Sequence, residues 1–332
     1  MLLAAAGCAD DGPQTSPIGG PADGSEEPEG QPDEQIRAEF RTPWLTPNGS
    51  YSNERVADSM IDSSNVDELA LAWSAPIEAP SGMAGIPIVD DQGTVYVQDF
   101  NSDVIAYDLD TGEQRWKAVY GVQTFGPNGV AYEDGALFGV TGSEVFSLDA
   151  ATGDERWRAA ELDQPVGLAE GATLGFTIQP TVRDGVVYLS EAAKSGGGDL
   201  LVLDASDGSE LWRFDTTDEP EGDLTPSGGA WSAPAIDAEG YVYYGTGNGY
   251  YSHNAPAEHQ NERLYTNSAL KLDAATGELD WFFQAVPNDF WDWDLQLSPI
   301  LADVEGRPMA IVGGKMGFVY GLDSETGELL WK

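Results

Sequence analysis

Ala106-Tyr107-Asp108-Leu109-Asp110-Thr111-Gly112-Glu113-Gln114-Arg115-Trp116 is the stretch that decides the fold. The same phrase returns at 147–157, 202–212, 271–281 and 321–331, each time with Asp third, Gly seventh and Trp eleventh. A fixed phrase recurring every few dozen residues marks a stack of equivalent units, either a solenoid or a propeller. Short alternating runs precede each Asp, such as Val104-Ile105-Ala106-Tyr107 and Glu144-Val145-Phe146-Ser147-Leu148. Alternation of this kind reads as a half-buried strand. Asp-x-x-Thr-Gly is turn chemistry, because Asp bonds the backbone just ahead of it and Gly accepts positive φ. Each phrase is therefore a β-hairpin whose last strand ends in a large aromatic.

Further strands lie upstream, for example Thr94-Val95-Tyr96-Val97 and Val186-Val187-Tyr188-Leu189. Four strands per unit predict an all-β propeller blade, with the tryptophans packed between neighbouring blades. The motif tryptophans stand at 73, 116, 157, 212, 281 and 331, with spacings of 43, 41, 55, 69 and 50 residues. Five complete blades end at Trp116, Trp157, Trp212, Trp281 and Trp331. Trp73 is expected to end an extra outer strand with no inner strands before it. The third and fourth intervals are the long ones, and extra length in a repeat array usually maps to loops on the working face.

The phrase resembles the tryptophan-docking motif of the quinoprotein propellers, the eight-bladed dehydrogenases that hold pyrroloquinoline quinone (PQQ), and of their cofactor-free relatives. The resemblance runs from about residue 40 to 332. It includes Tyr51-Ser52-Asn53-Glu54-Arg55 and the segment Asn65–Trp73, which is similar to the family's N-terminal strand. It implies an eight-bladed ring of which this chain carries five complete blades, with the C-terminal part missing. By itself a shared scaffold does not settle an activity.

Composition sets outer bounds. Lys plus Arg is 15 and Asp plus Glu is 57, a formal charge of −42. So acidic a surface repels nucleic acid and anionic lipid and favours cations, basic partners or high salt. Cys8 is the only cysteine, so no intramolecular disulfide forms. It lies in Leu2-Leu3-Ala4-Ala5-Ala6-Gly7-Cys8, which resembles a bacterial lipobox, although the apolar stretch is short and no Lys or Arg precedes it. Residues 1–8 are expected to be the remnant of a lipoprotein signal, with Cys8 acylated and the protein periplasmic or at the cell surface. Residues 9–38 read as an acidic, Pro/Gly-rich tether that lacks the apolar residues to build a core. Residues 39–332 are the propeller. No later run of about eighteen apolar residues exists, so contact with a membrane is expected only through the anchor.

Four clusters carry candidate chemistry, each with a structural alternative. Trp231 in Gly228-Gly229-Ala230-Trp231-Ser232 is similar to the family Trp that lies flat beneath the quinone; otherwise it is one more packing aromatic. Asn248 in Gly245-Thr246-Gly247-Asn248-Gly249 matches the segment whose Asn oxygen binds Ca²⁺; otherwise it is turn chemistry after a strand. In Pro287-Asn288-Asp289-Phe290-Trp291-Asp292-Trp293-Asp294, Asp292 matches the family's base beside the metal. If this segment is extended, Asp292 and Asp294 share one face, and two carboxylates so close need a cation between them. Lys315 in Gly313-Gly314-Lys315-Met316 matches the position where Lys or Arg meets the quinone oxygens, and Thr177 sits where the family often has a quinone-binding Thr.

The departures are specific. The family's adjacent cysteines over the quinone are replaced within Val122-Gln123-Thr124-Phe125, and an expected Arg appears as Asn128. The metal-binding Glu of blade three has only Glu191 nearby, with Gly196-Gly197-Gly198 shifting the register. No Cys-x-x-Cys-His occurs, so the chain itself attaches no c-type haem. His253 and His259 read as loop residues. The resemblance implies a PQQ- and Ca²⁺-dependent dehydrogenase that oxidises a small alcohol and passes electrons to an external acceptor such as a cytochrome. The competing expectation is a cofactor-free propeller lipoprotein that serves as a protein–protein scaffold, as in outer-membrane assembly.

Overall fold

The computed structural model describes residues 43–57, 59–77, 85–124, 127–142, 144–159, 178–190, 198–216, 228–248, 264–287, 289 and 291–332. All lie within the unit Phe40–Lys332. Cys8, the tether, Thr177, Glu191, His253 and His259 fall outside them.

Blade one shows how the phrase folds. Strands β1 (Ile88–Val89), β2 (Thr94–Gln98), β3 (Val104–Asp108) and β4 (Gln114–Ala118) pair antiparallel in sequence order. Between β3 and β4, Asp108 Oδ1 accepts the amides of Asp110 at 3.0 Å and Thr111 at 2.9 Å, and Gly112 turns the chain at φ +71°. The hydrogen bond from Arg115 holds the Asp108 carboxyl well below the usual carboxylate range. Four more four-stranded sheets repeat this order within 131–159, 181–215, 235–284 and 300–331. In all five, the register between third and fourth strands shifts by one bulge at the same place: Ala106/Tyr107, Ser147/Leu148, Val202/Leu203, Lys271/Leu272 and Gly321/Leu322. A bulge there sharpens the local twist and re-aims the outer strand just before its Trp. The only helix among the described residues is one 3-10 turn, Val66–Glu68.

Neighbouring blades are joined by the motif itself. The indole of each motif Trp from Trp73 to Trp281 lies on the turn glycine of the following blade, and its Nε1 donates to a carbonyl in the same turn. Trp116 donates to Ala150 O at 3.1 Å, Trp157 to Ala205 O at 2.8 Å, Trp212 to Ala274 O at 2.9 Å and Trp281 to Ser324 O at 3.1 Å. A Cβ on Gly208 would stand 2.7 Å from Cζ3 of Trp157, so the position must lack a side chain as well as tolerate φ +76°. Trp73 makes the same joint with blade one, donating to Leu109 O at 2.8 Å. The expected strand around it does not form. Residues 71–77 carry no ladder, because no strand among the described residues lies beside them to hydrogen-bond.

The leading segment also departs from expectation. Residues 44–53 form no strand but cross the innermost strands of several blades. Trp44 and Val89 exchange backbone hydrogen bonds at 2.7 and 2.9 Å, and Leu45 O accepts Tyr132 N at 3.2 Å. Tyr51 O accepts Ile236 N at 2.8 Å, and Ser52 O accepts Leu301 N at 3.0 Å. The Arg183 guanidinium of blade three stacks 4.8 Å above the Tyr51 ring. The segment thus supplies partners to inner edges that would otherwise be unpaired.

The joint has a direct test. Gly208 and Gly185 share the same left-handed φ, +76° and +77°, but no atom would lie within 4 Å of a Cβ on Gly185. Gly208→Ala is expected to cost about 1–3 kcal/mol more than Gly185→Ala, the overpacking penalty beyond backbone strain. Urea unfolding of the two variants measures the difference; equal losses would show that the indole does not hold the joint.

Candidate active site

Topology decides which residues can meet. In a four-stranded antiparallel blade, the first-to-second and third-to-fourth turns lie at one end. The second-to-third connections and the links between blades lie at the other. Asn248 and Lys315 sit in second-to-third connections of blades four and five, and Trp231, Asp292 and Asp294 in the links entering those blades. All five therefore belong to one end, on adjacent blades.

The structure brings them together. Lys315 Nζ lies 3.0 Å from Asp292 Oδ2 and 2.5 Å from Asp294 Oδ2. The same ammonium stands 5.9 Å from the ring centroid of Trp231. Asp294 Oδ1 accepts the backbone amide of Asn248 at 2.6 Å, and Lys315 N donates to Asp294 O at 3.0 Å. Gly247 lets these groups close up: a Cβ there would stand 2.9 Å from both Asp294 Oδ1 and Cη2 of Trp231.

The two carboxylates are not equivalent. The segment is not extended as supposed, because Asp292 adopts φ +62°. The Asp292 side chain is 56% exposed, whereas that of Asp294 is fully buried. Burial pushes the Asp294 carboxyl above its ordinary value, against the pull of Lys315 and of the Asn248 amide. Burial opposes the charge of Lys315, but hydrogen bonds to Asp294 and Asp292 raise the ammonium above its usual range.

A residue that the sequence reading passed over shapes this loop. Asp289 is buried and accepts Trp291 N at 2.7 Å and Trp293 N at 2.6 Å, while Asn267 Nδ2 donates to it at 3.1 Å. It folds the chain so that the following acids face Lys315. An Asp two and four residues before the amides it caps is the sequence signal.

The residue types fit a planar cofactor and a hard cation. Trp231 offers an aromatic face beside a positive group. Asp292, Asp294 and the buried Asn248 side chain offer oxygens of the kind that such cations take. The Lys315 ammonium, held between the two carboxylates, shows that positive charge is accommodated at that point. A cavity of about 210 Å³ borders Trp231, with Arg55, Gln179 and Ser298 on its wall. The larger cavity, about 520 Å³, is lined by Tyr51, Arg183, Asp237 and Asp303 and contains none of the expected site residues.

Comparison with known proteins bears on the family and the fold. The family described as PQQ glucose/ethanol/alcohol dehydrogenase, β-propeller domain, matches residues 44–332. Quinohemoprotein alcohol dehydrogenase from Comamonas testosteroni is 30% identical over 87% of this chain and 46% of its own length. The solved structure of quinohemoprotein alcohol dehydrogenase ADHIIG from Pseudomonas putida HK5 superposes with a TM-score of 0.78 at 27% identity, covering 89% of this chain and 48% of that one. A europium-containing methanol dehydrogenase superposes with a TM-score of 0.73 at 25% identity, over 90% of this chain and 59% of that one. The chain spans about half the length of the curated relatives it matches.

Removing the ammonium from this site isolates its electrostatics. Lys315→Met leaves Asp294 buried beside Asp292 without a counter-charge. It is expected to cost about 2 kcal/mol at neutral pH, below the range for a fully buried pair because Lys315 is partly in solvent. A carboxyl raised in the folded state favours folding when protonated, so the deficit should shrink as pH falls through the folded value of Asp294. Denaturation of both proteins across mildly acid to neutral pH checks the sign; a deficit that grows on acidification refutes it.

Proposed function

Because this chain belongs to the PQQ-dependent glucose/ethanol/alcohol dehydrogenase β-propeller family, we propose that it forms the cofactor-holding part of a dehydrogenase oxidising an alcohol to its carbonyl compound. The observation that carries this reading is the Lys315 ammonium set between Asp292 and Asp294 beside Trp231. When bound, PQQ accepts the two electrons of the oxidation, and the metal ion polarises the quinone.

The chain's own residues have separable tasks. Trp231 supplies a flat apolar floor for the cofactor, and Lys315 a positive hydrogen-bond donor for its oxygens. Thr177, which lies outside the described residues, is assigned to the cofactor by resemblance. Asn248, Asp292 and Asp294 supply metal oxygens, with Glu191 as a further ligand by resemblance. Asp292 is the better base of the two acids. Its carboxylate is open to solvent and substrate, whereas Asp294 is enclosed and already accepts the Asn248 amide. In this role Asp292 Oδ2 takes the alcohol's hydroxyl proton, which requires Lys315 to release it toward the cofactor.

Calcium is the assigned metal, and a lanthanide is the competing occupant. One structural neighbour is a europium-containing enzyme, and Asp294 adds a second carboxylate that suits a cation of higher charge. Electrons leave through an external acceptor, a cytochrome in this reading.

Reconstitution of the whole protein with PQQ and either Ca²⁺ or Eu³⁺ tests the proposal, read by quinone absorbance and by dye reduction with an alcohol panel. Asp292→Asn is expected to lower turnover by about 10²–10⁴-fold while keeping the quinone bound, since it removes a base and preserves shape. Asn248→Ala is expected to raise the metal concentration needed. If quinone fails to bind with either metal, the dehydrogenase reading falls and the scaffold reading replaces it.

A further inference from the structure

A second cluster of oxygens lies between blades one and two, in the connection after β2 and the link into blade two. Asp99 is fully buried there. Its Oδ1 accepts the amides of Asn101 at 2.8 Å and Asp103 at 3.0 Å, whereas its Oδ2 is enclosed and accepts no hydrogen bond. Lys117, the cation that reaches this loop, is paired with Asp103 at 3.0 Å.

Three neutral side chains meet the same loop. Asn128 Nδ2 donates to Asp99 O at 2.8 Å. Only the NH₂ end of an amide can donate to a carbonyl, so this contact fixes the amide's orientation. The opposite atom, Oδ1, is then an enclosed acceptor, and it has no partner. Gln98 is fixed in the same way, since Nε2 donates to Ser102 O at 3.1 Å and Val140 O at 2.9 Å while Oε1 is enclosed and unpaired. Thr124 is tied to the loop by its backbone amide, which donates to Phe100 O at 2.8 Å, and its Oγ1 is also enclosed and unpaired.

One hydrogen-bonded knot therefore holds four buried oxygens without partners, one of them on a carboxylate. Leaving a buried acceptor unsatisfied costs about 1–3 kcal/mol, and more for a charged group. A single water donates only two hydrogen bonds, too few for the carboxylate and two amide oxygens, even with the Thr124 hydroxyl donating to that water. A hard cation takes several oxygens at once. With one carboxylate in the set, charge balance points to a single positive charge. We propose that the Asp99–Asn128 knot, with Gln98 and Thr124, binds a monovalent alkali cation, Na⁺ or K⁺, that locks blade one to blade two. The protein's strongly negative charge would concentrate such ions around it.

Thermal unfolding of the full chain in NaCl, KCl and choline chloride at matched ionic strength tests the site. The wild-type midpoint should rise, and saturate, with Na⁺ or K⁺ relative to choline. Asp99→Asn and Thr124→Val should each lose that ion-specific rise, whereas Asp292→Asn, at the other site, should keep it. If Asp99→Asn does not fold, Thr124→Val carries the comparison alone. Crystals soaked in thallium(I) acetate should show an anomalous peak among the four oxygens. Equal wild-type midpoints in the three salts overturn the proposal. So do an ion-specific rise that survives Thr124→Val, its loss in Asp292→Asn but not at Asp99 or Thr124, or water alone at the knot in thallium-soaked crystals.

Discussion

The structure depends on one recurring contact, an indole laid flat on the turn glycine of the next blade. That contact requires a large ring at the end of one strand and no Cβ at the facing turn, together with left-handed backbone at the glycine. The indole N–H is satisfied by a carbonyl of the same turn, so the aromatic is anchored at its polar edge as well as its face. Because Trp73, Trp116, Trp157, Trp212 and Trp281 all reach forward to the following blade, the joint gives the stack a direction. Connections of like type then gather at one end. Blades four and five, neighbours in sequence, present Trp231, Asn248, Asp292, Asp294 and Lys315 to one another.

Much of this was legible in the chain. The hairpin phrase is local: its Asp, Gly and Trp lie within eleven residues and repeat five times, so strand count and blade count follow directly. Less legible was anything set by non-local pairing. A strand needs a partner, and the Trp73 segment lacks one among the described residues despite a strand-like sequence. Residues 44–53 look like a plain lead-in, yet their backbone serves inner edges of blades far along the chain. Within the site, the motif pointed to Asp292, but burial separated its role from that of Asp294. The positive φ at Asp292 and the capping by Asp289 that set this difference are properties of the folded loop.

The site is a problem in charge storage. Two carboxylates share one ammonium, and the buried partner is additionally held by a backbone amide. An acid kept enclosed and paired is suited to a fixed electrostatic task, whereas an exposed one beside it can exchange protons. Similar residues thus acquire different chemistry from solvent access alone. In a chain of charge −42, three basic side chains among the described residues show how positive charge is placed: Arg115 and Arg156 brace turn carboxylates, and Lys315 stands between the site's acids.

The crossing of residues 44–53 bears on how the molecule comes apart. An array of similar blades joined only to nearest neighbours behaves as a one-dimensional stack, able to fray from either end or open at a weak joint. The leading segment breaks that independence. Asn48 reaches Ser298, 250 positions away, and Asn53 reaches Pro299. Losing blade five therefore also strips partners from a segment that touches blades one, two and four. Contacts of such long sequence separation form late and slowly, because a large loop must close before they yield anything. The blades can assemble quickly from local hairpins, with the crossing segment added last. Once it is in place, piecemeal fraying is replaced by a single cooperative unit.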